Sequence, residues 1–105
     1  MQELTSKIHH MELFYKRHEC DPILIADGAI FDESLTQTQI LNPDIIYNMA
    51  LQRLTDKKCQ SLHLVISGLT VALVATLNAC KTLGIQVTLL HFDRKRKEYY
   101  PQQVM

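Results

Sequence analysis

The sequence predicts one α/β domain built on a mostly parallel sheet with helices on both faces. A strand, a helix and a second strand follow one another within ~30 residues of the C-terminal half, which is the pattern of a βαβ unit. Such units are right-handed and produce parallel strands. The 105 residues, 47% of them hydrophobic, suffice to close one core, so we expect a single domain over residues 1–105.

The βαβ unit is the clearest part of the sequence. The apolar run over residues 62–66 predicts a buried strand, which enters a turn at residues 67–70. Nearly continuous apolar residues over 71–83 predict a buried helix, and Gly84 stands where a left-handed C-terminal cap belongs. Alternating apolar residues after Gly84 predict a second strand that ends near His91 or Phe92.

Upstream of this unit, Asn42-Pro43-Asp44 predicts a helix start, with a capping side chain, a proline in the first turn and an early acid. Apolar residues at helical spacing follow, and the basic pair Lys57 and Lys58 marks the end of the helix. We expect this helix to pack on the sheet. The polar residues 32–39 are predicted to form a loop.

The first 31 residues leave alternatives open. Residues 22–26 are predicted to form a strand that runs into the Asp27-Gly28 turn. The preceding apolar residues fit either a helix over residues 4–15 or a strand over 11–15 that pairs with 23–30 as a hairpin. We favour the N-terminal β-hairpin.

Composition limits the classes of partner. Eleven basic and eleven acidic side chains balance, so neither duplex nucleic acid nor a membrane surface is expected as a partner. No stretch reaches the ~18 apolar residues of a membrane span, and no signal-peptide run opens the chain, so we expect a cytoplasmic protein. Cys20, Cys59 and Cys80 lack a CxxC spacing and are expected to be reduced thiols, with no metal and no cofactor.

The turn formed by Ser67, Gly68, Leu69 and Thr70 is the first candidate site. It delivers the backbone from a buried strand to a helix whose first amides have no partner inside the helix, and such amides attract anions. Glycine permits close approach of a ligand. The hydroxyls of Ser67 and Thr70 either bond a phosphate oxygen or cap the helix, and both alternatives stay open.

A basic cluster follows the second strand. Arg94, Lys95, Arg96 and Lys97 are expected at the carboxyl edge of the sheet, where open sheets bind ligands, although a basic run is also typical of a solvated turn. Tyr99 and Tyr100 are either a stacking surface for a base or part of an edge strand over residues 98–104 that tolerates a proline.

Two further candidates are weaker. Asp27 and Gly28 either bond a ribose hydroxyl or simply form an Asp-Gly turn. His91 with Asp93 is a candidate proton-transfer pair at the end of the second strand. His63 alternates with apolar neighbours and is expected to be partly buried in its strand.

Two stretches resemble one known family. The first stretch runs from Leu62 to Ile85 and begins Leu-His-Leu-Val-Ile-Ser-Gly-Leu-Thr; the second begins Leu-Leu-His-Phe-Asp-Arg at Leu89 and runs up to Tyr-Tyr-Pro-Gln at 99–102. Together they resemble small CRISPR-associated Rossmann-fold (CARF) proteins. In that family a strand, a Ser/Thr-x-Gly turn and a helix line the pocket for cyclic oligoadenylate, the second messenger of type III CRISPR defence. The resemblance covers about half the chain, and its motif matches Ser67 to Thr70.

The resemblance implies a Rossmann-like, CARF-like homodimer or higher homo-oligomer that binds cyclic oligoadenylate, with cyclic tetra-adenylate as the first expectation, and damps the antiviral signal by sequestering it. A metal-independent ring nuclease that cleaves the messenger is an alternative, and a non-enzymatic interaction protein without a nucleotide ligand is another. The family motif often carries a second glycine and an early basic residue. Here the next lysine is Lys81, so the basic cluster at 94–97 is expected to supply that contact.

Overall fold

The computed structural model describes residues 8–15, 21–32, 35–67 and 69–105. A short 3-10 helix at Pro22–Ile25 accompanies the regular elements. In chain order these elements are β1 (Ile8–Phe14), β2 (Ala29–Phe31), α1 (Gln37–Ile40), α2 (Pro43–Asp56), β3 (Ser61–Val65), α3 (Thr70–Leu83), β4 (Gln86–Asp93) and β5 (Glu98–Gln103).

The strands of the described ranges form one mixed sheet in the order β2-β1-β3-β4-β5. The first three pairings are parallel, and the β4–β5 pairing is antiparallel. The chain moves outwards from β1 to β2 on one side and from β3 to β4 on the other. The connections that leave β1 and β3 therefore diverge at the carboxyl edge, which makes the gap between these two strands a topological switch point.

The predicted βαβ unit is confirmed. β3, α3 and β4 follow one another, β3 and β4 are parallel, and Gly84 ends the helix with a φ of 71°. Buried alanines at positions 72, 75 and 79 give α3 a small-residue surface for close packing. Thr76 is fully buried, and its hydroxyl donates to the carbonyl of Ala72 at 2.8 Å, which satisfies the only polar group of its side chain.

The two long helices, α2 and α3, pack extensively against each other and so lie on the same face of the sheet. Met11, Leu64 and Leu89 are cross-strand neighbours that belong to the same core cluster as the buried residues of these helices. The expectation of helices on both faces is therefore wrong for the long helices. The 3-10 helix instead contacts β1 and β3.

The N-terminal half differs most from expectation. β1 and β2 are parallel, so the predicted β-hairpin is wrong, and residues 8–14 form a strand rather than a helix. The segment predicted as a strand over 22–26 is largely the 3-10 helix at Pro22–Ile25. Asp21 accepts the Ile23 N–H at 3.0 Å, and Pro22 presets the backbone of the first turn, so this segment begins a helical turn.

Residues 32–39 are not a loop throughout, because α1 begins at Gln37. Thr36 and Gln39 form a capping box, in which the Gln39 N–H donates to the Thr36 hydroxyl at 3.2 Å and the Thr36 N–H donates to the Gln39 side chain at 2.8 Å. α2 begins at Pro43 as expected. Asn42 precedes it without capping it, since its side-chain amide donates back to the Thr38 carbonyl at 2.8 Å.

The C-terminal segment forms the edge strand that was one of the two alternatives for its tyrosines. β5 contains Pro101, which the edge position tolerates. Beyond β5, the Val104 N–H donates to the Val87 carbonyl at 2.9 Å, and the Val87 N–H donates to the Met105 carbonyl at 2.8 Å. The tail therefore pairs with β4 of its own chain. Among the described residues, none of the helices combines the length and apolarity that a bilayer crossing needs.

Candidate ligand-binding site

The ends of β3 and β4 bring the two main candidate regions to one edge of the sheet. Val65 pairs with Leu90, and the Ile66 N–H still donates to the Leu90 carbonyl at 3.4 Å. Ile66 is therefore level with His91 and Ser67 follows directly, while β4 continues to Asp93. The turn between β4 and β5 projects past the end of β3, at the same carboxyl edge as the start of α3.

The start of α3 has no side-chain cap among the described residues. Its N-cap residue is Leu69, which carries no oxygen in its side chain, and the N–H groups of Ala72 and Leu73 donate to the Leu69 carbonyl at 3.1 and 3.2 Å. Neither Ser67 nor Thr70 caps the helix, so the capping alternative for these hydroxyls does not hold. The amides of Thr70 and Val71 open the helix at its positive end. Gly68 lies outside the described residues.

Ser67 has a side-chain oxygen that is buried and has no hydrogen-bond partner among the described residues. Leaving a buried hydroxyl unpaired costs on the order of 1–3 kcal/mol, so such groups in a folded protein call for an explanation. Because this oxygen lies at the turn before an uncapped helix, a ligand that binds there would satisfy it. The site thus combines main-chain donors with a free hydroxyl.

The β4–β5 turn is organised by Asp93. One carboxylate oxygen of Asp93 accepts the N–H groups of Lys95 and Arg96 at 2.9 and 3.3 Å. The Arg96 guanidinium lies 3.9 Å from Asp93 and 3.8 Å from Glu98 with 76% of its side chain exposed, so these ion pairs are weak. The turn therefore holds the side chains of Arg94 and Lys95 in solvent, available to an anion.

His91 and Asp93, predicted as a proton-transfer pair, have different partners in the structure. The His91 Nε2 lies 2.7 Å from the Gln102 side-chain oxygen, which can only accept, so Nε2 donates and Nδ1 is left as an acceptor. Asp93 is occupied by the backbone of the turn. His91 also stacks on Tyr100, with ring centroids 5.2 Å apart and an angle of 23° between the rings.

The adjacent tyrosines Tyr99 and Tyr100 point to opposite faces of β5, as strand alternation requires. Tyr100 pairs with His91, which lies two residues after Leu89 and so shares the helix-bearing face of the sheet. Tyr99 packs against Phe92 with ring centroids 5.2 Å apart. The two tyrosines therefore cannot contact the same base, and Tyr99 faces away from the start of α3.

Asp27 and Gly28 do not follow a strand, as the ribose hypothesis assumed. They precede β2 and lie beside His10, near the start of β1. The Asp27 carboxylate accepts the His10 N–H at 2.9 Å, and the Asp27 N–H donates to the His10 carbonyl at 2.9 Å. This turn is thus at the amino edge, away from Ser67, and its polar groups serve the sheet. Of the two alternatives for Asp27 and Gly28, the structure favours the Asp-Gly turn, and it separates that turn from the carboxyl-edge site.

A polar cluster that the sequence analysis did not identify lies on the sheet face opposite α2 and α3. It comprises His10, Glu12 and His63, and the two imidazole rings meet edge to face at 5.3 Å. Burial lowers the pKa of His63, and the neighbouring His10 lowers it further. Glu12 is only 2% exposed, and one of its oxygens has no partner among the described residues. Within the described ranges, neither this cluster nor any other group of three His, Cys, Asp or Glu side chains is arranged to hold a metal ion.

The described cysteines are inert thiols. Cys59 and Cys80 are buried and free. Burial, followed by the charge of Asp27, raises the pKa of Cys59 to about 11. Burial, followed by Cys59, raises the pKa of Cys80 to about 12. Both therefore stay protonated near neutral pH, where only a thiolate would act as a nucleophile. Cys20 lies outside the described residues.

Two cavities lie elsewhere on the molecule. One of about 670 Å³ separates β2 from α2, where Arg53 forms an ion pair with Asp32 and approaches the Ile30 carbonyl. The other, of about 460 Å³, is a groove between α2 and α3 lined by Tyr47 and Val71 among others. Neither of these two cavities is lined by Ser67 or by residues 94–97.

Comparisons of the chain with protein-family models, with curated proteins and with solved structures gave no match. What the fold defines is an α/β protein with a five-stranded mixed sheet and its long helices on one face.

Proposed function

We propose that this chain binds a cyclic oligoadenylate, first of all cyclic tetra-adenylate, and sequesters it in type III CRISPR antiviral signalling. The observation that carries the proposal concerns the described part of the chain: the start of α3 has no side-chain cap there, and the Ser67 hydroxyl beside it has no partner there. Both lie at the same sheet edge as the exposed cations Arg94 and Lys95. The resemblance of residues 62–70 and 89–102 to CARF proteins supplies the identity of the ligand.

The groups at this site suit a phosphate-bearing ligand. Backbone N–H groups at a helix start and a partial positive charge there attract anions, and guanidinium and ammonium groups add charge-assisted hydrogen bonds. The chain has no net charge, so attraction to an anion must come from this local arrangement rather than from the overall field.

Strand order supports a Rossmann-like, CARF-like classification of the fold. With the order β2-β1-β3-β4-β5, the Ser67 turn lies at the switch point between β1 and β3. Open α/β sheets bind ligands outside the carboxyl ends of their strands at such a point. The antiparallel β5 and the single helical face are departures from a doubly wound sheet.

A twofold homodimer is part of the proposal. A cyclic tetranucleotide has internal symmetry, so two copies of the same turn can hold equivalent phosphates across a twofold axis. Light scattering with and without cyclic tetra-adenylate measures this directly. A dimer that binds one ring per two chains is expected, and a monomer that binds one ring per chain would contradict it.

The experiment that tests binding is calorimetric titration with cyclic tri-, tetra- and hexa-adenylate, using wild type, Thr70→Asp and Thr70→Asn. Thr70 is exposed at the first position of α3. An acid there stabilises the helix by ~0.5 kcal/mol yet repels a phosphate, so Thr70→Asp separates binding from folding. We expect it to lower the affinity at least ~30-fold, or ~2 kcal/mol, while the neutral Thr70→Asn stays near wild type.

Two results would overturn the proposal: no heat of binding with any ring for the wild type, or equal affinity for Thr70→Asp and wild type. Chromatography of the ligand after overnight incubation then separates holding from cleavage. An intact ring supports sequestration. Linear products that disappear in His91→Gln would instead establish the ring nuclease alternative.

A further inference from the structure

His91 and Tyr100 stack on each other next to the candidate phosphate site, with Tyr100 half exposed. We infer that this pair, called here the aromatic platform, stacks a nucleobase of the bound ligand on the tyrosine ring. The inference rests on the proposed function and specifies which part of the ligand binds where. The platform binds the purine ring, whereas the start of α3 and the cationic turn bind the phosphates.

The geometry of the pair suits this task. The rings lie 5.2 Å apart between centroids and are nearly parallel at 23°. The hydrogen bond from His91 to Gln102, at 2.7 Å, fixes the plane of the imidazole. Tyr100 therefore stacks on a ring whose orientation is fixed. Half of Tyr100 remains exposed, which leaves ring surface for a third planar group.

The position of the pair relates it to the phosphate site. His91 and Tyr100 are directly opposite each other on β4 and β5, on the face that bears α3. α3 packs against β4, so β5 extends the sheet beyond the helix and presents a solvent-exposed surface. Neighbouring strands are ~4.8 Å apart, so Tyr100 lies roughly 10 Å across the sheet from β3. The β4–β5 turn is nearer, because β5 begins at Glu98, two residues or ~7 Å before Tyr100. A phosphate held by that turn keeps its base within reach of the platform.

Stacking on aromatic side chains contributes about 1–3 kcal/mol per base and tolerates any base, because every base has a π-face. The platform therefore gives a nucleotide an advantage over a sugar phosphate. We therefore expect ligands that carry a base to bind more tightly than ligands without one. Among bases, we expect purines to bind best because their larger ring covers more of the platform.

The test compares Tyr100→Leu with Tyr99→Leu, the same substitution one residue away on the opposite face. Each is titrated with cyclic tetra-adenylate, with adenosine 5′-monophosphate and with ribose 5-phosphate. We expect Tyr100→Leu to weaken both adenine ligands about 10-fold or more and to leave ribose 5-phosphate unchanged. Tyr99→Leu and the ring-preserving Tyr100→Phe are expected to bind all three like wild type.

The outcomes separate the platform from the site that it extends. If the wild type binds cyclic tetra-adenylate and Tyr100→Leu binds it equally well, the platform is overturned and the proposed function stands. If Tyr100→Leu also loses ribose 5-phosphate, the residue acts through the fold of the hairpin and the platform is again overturned. A wild type that binds no adenylate overturns the proposed function, and the platform with it.

Discussion

The Ser67 turn and the Asp27 turn occupy opposite edges of the same sheet, and they use their polar groups in opposite ways. Asp27 accepts one backbone N–H of His10 and donates its own to the His10 carbonyl, so the turn is bound to β1. Ser67 keeps a hydroxyl without a partner among the described residues and precedes a helix without a side-chain cap. A polar turn is a candidate ligand site when the fold leaves its donors and acceptors unused.

Strand lengths explain the difference. β2 begins only at Ala29, so no strand residue lies beside His10 on the β2 side of β1, and there the Asp27 carboxylate accepts the His10 N–H. At the other edge, the pairing of β3 with β4 ends at Ile66, and the chain then turns into α3. Here β3 is the strand that ends early, since β1 and β4 both continue past it, and among the described residues the Ser67 hydroxyl bonds to neither of them.

The largest expected effect is on the cationic turn. Arg94→Glu with Lys95→Glu replaces two attractive charges by two repulsive ones, so we expect the affinity for cyclic tetra-adenylate to fall about 100-fold or more. The measurement is calorimetry at constant salt. The control Lys57→Glu with Lys81→Glu changes the net charge equally at exposed sites near the helix C-termini. If both double variants lose the same affinity, the overall charge of the protein explains the effect and the position of the cations does not.

The Asp27→Ala change tests the other side of the comparison. Because a buried backbone donor on His10 loses a charged acceptor, we expect the free energy of unfolding to fall by about 2 kcal/mol. Urea denaturation measures this change. The affinity for cyclic tetra-adenylate is expected to stay at the wild-type value, and a loss of affinity in a folded variant would show that the two turns do not act separately.

Ser67→Ala is expected to lower the affinity for cyclic tetra-adenylate without lowering the stability of the protein, and its effect is smaller than those above. The hydroxyl is buried and makes no hydrogen bond within the described residues, so its removal should raise the free energy of unfolding of the ligand-free protein, by up to the ~1–3 kcal/mol that an unpaired buried hydroxyl costs. Loss of one hydrogen bond to a phosphate should weaken binding about 10-fold. A markedly destabilised Ser67→Ala protein with unchanged affinity would assign this side chain to the fold instead.

The smallest effect concerns pH and the cluster on the far face. The lowered pKa of His63 means that folding favours its neutral form. Its contribution to stability is therefore complete above the ordinary value of 6.5 and is lost as the pH falls below it. His63→Gln should flatten the decline of the free energy of unfolding as the pH falls below about 6.5, with ligand affinity at pH 7 unchanged. An equally steep decline in the variant would place the titrating group elsewhere.

The sequence was sufficient for the elements whose signals are local. The α3 helix, its glycine cap and the strands on either side follow from periodicity within a few residues, and so does the start of α2 at Pro43. The capping box of α1 was also visible, as Thr36 followed three residues later by Gln39, and was missed among polar neighbours.

The remainder depended on contacts between distant residues. Whether β1 pairs with β2 as a hairpin or in parallel is decided by the path of the intervening chain, and a short apolar run such as residues 22–25 fits a strand or a helical turn equally well. The different partners of His91 and Asp93, and the opposite faces of Tyr99 and Tyr100, needed the register of β4 with β5. Burial of the Ser67 hydroxyl likewise depends on the three-dimensional packing and could not be predicted from the sequence.

The central claim is that the start of α3 and the β4–β5 turn receive one anionic ligand together. Amide chemical shifts recorded while cyclic tetra-adenylate is added test it most directly. The account predicts that the resonances of Thr70, Val71 and Lys95 move along one common titration curve while those of Asp27 and Gly28 stay in place. Shifts at the β4–β5 turn with none at Thr70 and Val71, or shifts centred on Asp27, would contradict it.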